Sequence, residues 1–84
     1  MEDVVRCILA GHARLSVDAS TLTEGTDLYA SGMSSYATVG VMFALEEAFG
    51  VEFPDELLRR ETFSSIACIK AAIAELQSQF DGGL

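Results

Sequence analysis

The chain has no tryptophan, one proline, one histidine and only five basic residues among its 84 positions. Thirteen acids against those five cations give a net charge of −8. Such a surface repels nucleic acid, whose phosphate backbone is bound through Lys and Arg. It repels an anionic membrane surface for the same reason. No apolar run approaches the roughly 20 residues that a membrane span requires. Met1 to Arg6 shows neither a basic n-region nor an apolar h-region, so no secretory signal is read and a cytoplasmic location is expected. The two cysteines, Cys7 and Cys68, lie far apart in different apolar-periodic segments and are expected to be buried thiols, not a bridge. With His12 as the one further soft ligand and no close spacing among the three, a zinc site is excluded. A lone histidine also leaves a nucleophilic serine short of a base.

Half the residues are hydrophobic, which suits a compact domain and not a disordered one. At this length one core is expected, without a deep substrate cleft. Val4, Val5, Ile8, Leu9 and Ala13 recur at helical spacing and predict a first helix from about Asp3 to Arg14. Ser16 to Ser34 reads as a long loop pinned by Leu22, Leu28 and Tyr29, and its length is itself a functional hint. A second helix is predicted from Ser35 to Phe49, closed by Gly50, with Val41, Met42, Leu45 and Phe49 turned inward. Val51 to Phe53 is an extended link, and Pro54 opens a brief helix with Leu57 and Leu58 tucked in. Thr62 or Ser64 should cap a last helix carrying Ile66, Ile69, Ile73, Leu76 and Phe80 to about Gln79. No segment alternates as a strand does. The expected fold is all-α, a small bundle of three main helices plus one short one. A single domain over 1–80 is followed by a frayed tail at 81–84.

The functional signal lies where the long loop meets the second helix. A serine at a helix start presents its hydroxyl beside unpaired backbone N–H groups and the positive end of the macrodipole. An anionic group attached to that oxygen is favoured there, and Ser35 is the candidate attachment point. Taken alone, Ser35 could equally be an ordinary early residue of a helix capped by Ser34. A nucleophile elbow is not supported, because position 36 is Tyr where Gly would be needed and strands are absent.

Asp27-Leu28-Tyr29 and Gly32-Met33-Ser34-Ser35-Tyr36 resemble the D-x-L/F-x-x-x-G-x-D-S-L signature of the acyl carrier protein family, which includes peptidyl and aminoacyl carriers. Leu45-Glu46-Glu47-Ala48-Phe49-Gly50-Val51-Glu52-Phe53-Pro54-Asp55 resembles the family's second block almost letter for letter. Thr62 to Ile66 is similar to its opening of the final helix. The resemblance implies that Ser35 receives 4′-phosphopantetheine from coenzyme A, through a separate phosphopantetheinyl transferase. The arm would then hold an acyl or aminoacyl thioester, loaded by an amino acid or acyl ligase and passed to a downstream acyl-accepting enzyme. The protein would be a monomeric carrier and not an enzyme.

Three features depart from the family pattern. Ser34 stands where Asp is usual and Tyr36 where Leu is usual. The early outer positions of the second helix, often acidic in fatty-acid carriers, read Ser34, Ala37 and Gly40, with Tyr36, Val39 and Phe43 nearby. Gly40 costs about 1 kcal/mol of helix propensity relative to Ala, which a close partner approach would explain. The predicted docking surface comprises Ser34, Tyr36, Val39, Gly40 and Phe43, with Glu46 and Glu47 at the far end. Its apolar character points away from the fatty-acid synthase, toward a stand-alone aminoacyl carrier or one from secondary metabolism. The alternatives are a fatty-acid carrier and a helical adaptor that has kept the fold without the modification. The cargo itself is not encoded in any motif of the chain.

Overall fold

The computed structural model describes residues 1–82, with side-chain environments through residue 78. Three α-helices, α1 (Glu2–His12), α2 (Ser35–Phe49) and α3 (Ile66–Gly82), form the all-helical bundle expected from the sequence. Helix α1 packs against both of the others. Where one short helix was expected between α2 and α3, there are two 3-10 turns, Asp55–Leu57 and Arg60–Phe63. A third such turn, Ala19–Thr21, interrupts the long loop and is capped by the Asp18 carboxylate accepting from Ser20 N–H.

Periodicity placed the core well. Val5 and Leu9 from α1, Ala13 just past its end, Val41 and Leu45 from α2, and Ile66, Ile69, Ile73 and Leu76 from α3 are buried. Truncating a fully buried Leu or Ile of this kind costs about 2–5 kcal/mol. Val4 lies on the outer side of α1 and is exposed, while Met42 and Phe49 are only partly covered. The long loop contributes Leu22, Leu28 and also Met33 to the core. Pattern reading passed over Met33 because an isolated apolar residue in a polar loop has no period to betray it.

Several boundaries differ, each for a local reason. Helix α1 stops at His12 because Arg14 adopts a left-handed backbone, φ 55°. Helix α3 is capped by Ser65, whose Oγ accepts from Cys68 N–H at 3.1 Å, and not by Thr62 or Ser64. Thr62 is buried in the preceding 3-10 turn, and the Ser64 hydroxyl donates back to Glu61 O. Leu58 was expected inside but stands 46% exposed. Both cysteines are free and exposed, not buried. Cys7 shares the outer side of α1 with Val4, and Cys68 sits on the first turn of α3 beside Ser64. Helix α3 runs on through Asp81 and Gly82, two of the four residues assigned to a tail. Gly83, Leu84 and the side chain of Phe80 lie outside the described residues.

An ion cluster joins the N-terminus, the loop and α3. Glu2 meets Arg6 at 2.9 Å and Lys70 at 3.0 Å, and Lys70 also bonds Glu24. Arg6 donates a further hydrogen bond to Ala19 O in the loop. Lys70 first, and Arg6 next, hold the Glu2 carboxyl down to about 2 from its ordinary 4.5. The same carboxylates hold the Lys70 ammonium above its ordinary value. A lowered carboxyl contributes stability above its unfolded pKa and loses it as pH falls through the folded value. Urea titrations should therefore show stability falling from about pH 4.5 toward 2, with a shallower fall in Glu2→Gln. An unchanged slope in that variant would count against the cluster.

Candidate functional site

The segment ahead of α2 is wound tightly. Asp27 Oδ1 accepts from Tyr29 N–H at 2.9 Å and Ala30 N–H at 3.2 Å, the side-chain turn that Asp favours. Backbone bonds from Ser31 to Asp27 O, Gly32 to Tyr29 O and Met33 to Leu28 O continue the winding. Gly32 closes it with φ +117°, a conformation that L side chains rarely adopt. A Cβ there would meet Ser16 N at 3.1 Å. Two ties fix this unit to its neighbours. Ser16 donates through both N–H and Oγ to Ser31 O, each at 2.9 Å, and Leu28 N–H donates to Ser64 O at 2.7 Å.

The unit delivers Ser34 in extended backbone, as the N-cap of α2, with Oγ accepting from Ala37 N–H at 3.0 Å. Thr38 N–H and Oγ1 both bond Ser34 O. Ser35 is therefore the first helical residue, and it is exposed. The cap occupies the Ala37 N–H, so the N–H groups of Ser35 and Tyr36 are left at the positive end of the helix. The hydroxyl of Ser35 thus stands where a covalently held phosphate is best stabilised.

Beside Ser35 lies a groove of about 410 Å³ lined by Tyr29, Val39, Met42, Arg59, Arg60 and Phe63, among others. Arg60 stacks its guanidinium 3.9 Å above the Tyr29 ring, a cation–π contact. Phe63 is buried against Phe53, with ring centroids 5.2 Å apart. The sequence reading placed Tyr29 as a loop anchor and passed over the two arginines. The adjacent basic pair in so acidic a chain was the signal available.

The expected docking residues separate into groups. Tyr36, Val39 and Phe43 share the outer face of α2 and are 86%, 49% and 59% exposed. Gly40 lies between them and faces the end of α1, where an added Cβ would stand 4.0 Å from His12 Nδ1. Ala37, expected with the outer positions, is buried against the core. Glu46 is half-buried, and its Oε2 accepts from Phe53 N–H at 2.9 Å. Its carbonyl receives the N–H groups of Gly50 and Val51, the former in a left-handed backbone at φ 64°. Glu46 thus closes the far end of α2, and among the two acids only Glu47 projects freely into solvent. Among the described residues there is no cluster of metal-ligating side chains. No helix of the described residues is long and apolar enough to cross a membrane.

Comparison with known proteins bears on this geometry. The family model for a phosphopantetheine attachment site matches residues 3–76. The chain belongs to that family. It is a carrier protein, not an enzyme, and its prosthetic group is 4′-phosphopantetheine held covalently on serine. An aminoacyl carrier protein of Agrobacterium fabrum is 44% identical over 73 residues, covering 87% of this chain and 88% of the relative. The chain is also similar, at TM-score 0.86 and 43% identity, to the carrier protein from Agrobacterium tumefaciens in a crystal structure with engineered Bradyrhizobium japonicum glycine:[carrier protein] ligase and AMP. That match covers 88% of this chain and 99% of the other. A solution structure of an Agrobacterium tumefaciens protein superposes at TM-score 0.76 and 39% identity, covering 98% of this chain and 99% of that one. The exposed serine, the helix end and the cationic groove suit the family's anionic arm.

The cap gives a direct check on how the serine is held. Ser34→Ala should cost about 1 kcal/mol by chemical denaturation, while Ser34→Asp, which keeps an acceptor for Ala37 N–H, should retain wild-type stability.

Proposed function

We infer that Ser35 is the serine modified, and that the arm carries an amino acid as a thioester. Ser35 Oγ attacks the phosphorus of coenzyme A that bears pantetheine. An O–P bond forms as the pyrophosphate P–O bond breaks, adenosine 3′,5′-bisphosphate leaves, and the hydroxyl proton passes to a base of the phosphopantetheinyl transferase. An amino acid ligase using ATP would then load the arm. The thiol sulfur attacks the carboxyl carbon of an aminoacyl adenylate, and the C–S bond forms as the C–O bond to AMP breaks. AMP leaves and the thiol proton passes to a base, after which a downstream enzyme accepts the aminoacyl group. The chain supplies the attachment oxygen, its presentation and the surface that partners read.

One observation carries the reading, the exposed Ser35 hydroxyl at the start of a helix whose outer face is itself apolar. A helix that is hydrophobic all round, with one side left in water, marks an interaction surface. Tyr36 and Phe43 are large, exposed and one helical turn either side of Gly40, the arrangement of aromatic anchors in a partner interface. The similarity to an aminoacyl carrier and to a carrier bound by a glycine:[carrier protein] ligase favours an amino acid ligase as the partner. An acidic early α2, which basic enzyme patches would need for charge pairing, is absent from this sequence.

Incubation with coenzyme A and a promiscuous phosphopantetheinyl transferase should add a phosphopantetheine-sized mass to the wild type and nothing to Ser35→Ala. No gain on the wild type would leave a helical adaptor as the better description. In the holo-protein, Tyr36→Ala and Phe43→Ala should each lower kcat/KM for loading by an amino acid ligase about tenfold, equivalent to about 1.4 kcal/mol, with melting temperature little changed. Efficient loading by fatty-acid synthase enzymes, with none by amino acid ligases, would overturn the aminoacyl assignment.

A further inference from the structure

A second groove, of about 390 Å³, runs between the end of α1 and the outer face of α2. Gly11, His12 and Arg14 line it from the α1 side, and Tyr36, Gly40 and Phe43 from α2. A Cβ added at Gly40 would stand 4.0 Å from His12 Nδ1, an ordinary contact distance. Nothing inside the fold therefore requires glycine at position 40, although glycine weakens a helix interior more than any residue but proline. The space it leaves lies between two exposed aromatic side chains, where a partner's apolar side chain can be taken out of water.

The α1 side of the groove carries charge of one sign, and no acidic side chain lines it. Of the five basic residues, Arg6 and Lys70 are tied into the ion cluster and Arg60 is stacked on Tyr29. Arg14 is exposed and in no ion pair among the described residues. Its left-handed backbone, φ 55°, is uncommon for so bulky a residue, and backbone strain of this kind gathers at functional sites.

We propose that an apolar side chain of the amino acid ligase seats against Gly40 between Tyr36 and Phe43, and that a neighbouring ligase carboxylate pairs with Arg14. The inference rests on an amino acid ligase being the partner, and it extends the docking surface from α2 onto α1. An apolar contact beside a guanidinium–carboxylate pair fixes both depth and register of the partner. The net charge of −8 acts on the approaching partner as a whole, whereas Arg14 acts at contact. Gly40 is thus a specificity-determining position, since a side chain there would favour the helix and fill the seat.

The test uses holo-protein, verified by intact mass, with a glycine:[carrier protein] ligase, glycine and ATP, and reads KM for the carrier separately from kcat. Gly40→Gln should raise KM about tenfold and leave kcat unchanged. Gly40→Ala should raise the urea midpoint and yet raise KM about threefold, a pairing that damage to the fold does not produce. Arg14→Asn suits the left-handed backbone but lacks the charge, and should raise KM about fivefold, whereas Arg14→Lys should keep most of the wild-type value. Unchanged KM in both Gly40 variants, with Tyr36→Ala still impaired, would overturn the seat and leave the ligase reading standing. Unchanged KM in Arg14→Asn would overturn the carboxylate contact. A fall in kcat alone would also count against the seat, because docking would then be intact. Concentration-dependent dimerisation in sedimentation, lost in Gly40→Gln while loading is unaffected, would give the groove to a second copy of the chain. No loading of the wild type would instead remove the ligase reading on which the seat depends.

Discussion

The hydrogen bonds that wind Asp27 to Met33 and tie that unit to Ser16 and Ser64 govern the whole functional face. A surface loop free to fluctuate would leave the start of α2 undefined and the serine hydroxyl without a fixed direction. Here the loop is anchored on one side to the exit of α1 and on the other to the residues just before α3. Leu28, fully buried, and Met33 pin the same unit from beneath. Ser35 is thus exposed yet firmly placed. Prosthetic-arm chemistry calls for this combination, since the attaching enzyme must reach the oxygen and later partners must find the arm at a constant point.

Charge and hydrophobicity are divided in space. The protein is strongly acidic, yet the outer face of α2 is apolar and the groove beside Ser35 is cationic. Under the docking proposed for this face, long-range attraction of a basic partner would be an event separate from short-range contact at the exposed aromatics, the first setting encounter and the second setting fit. Glu46 illustrates how local structure limits what charge can do. Its carboxylate is engaged in closing α2 onto the Val51–Phe53 link, so it contributes to the end of the helix more than to the surface potential.

Much of the fold was legible because three helices carry apolar residues at helical spacing, and helix ends announce themselves through residues such as Gly50. The cap of α3 was misplaced by a residue because Thr62, Ser64 and Ser65 all have capping chemistry, and only the backbone path selects one. Cys7, Cys68 and Leu58 were assigned to the interior on residue type, but burial depends on which neighbours arrive to cover a face. Ala37 went the other way for the same reason. Helical spacing locates a residue on a face without naming the face that the rest of the chain will cover.

By itself the sequence determined the class of molecule. The Asp27–Tyr36 and Leu45–Asp55 blocks and the lone histidine pointed to a helical carrier with its attachment point at Ser35 and no catalytic machinery of its own. The tertiary structure decided what surrounds that serine. It brought Arg59, Arg60 and Phe63, which lie more than twenty residues downstream, alongside Val39 and Met42 to form one groove. It also turned Tyr36 and Phe43 to solvent while drawing Ala37 into the core. Local pattern encodes hydrogen-bond geometry within a turn or a helix. Juxtaposition across the bundle depends on how the three helices pack, and that is settled only when their apolar faces meet.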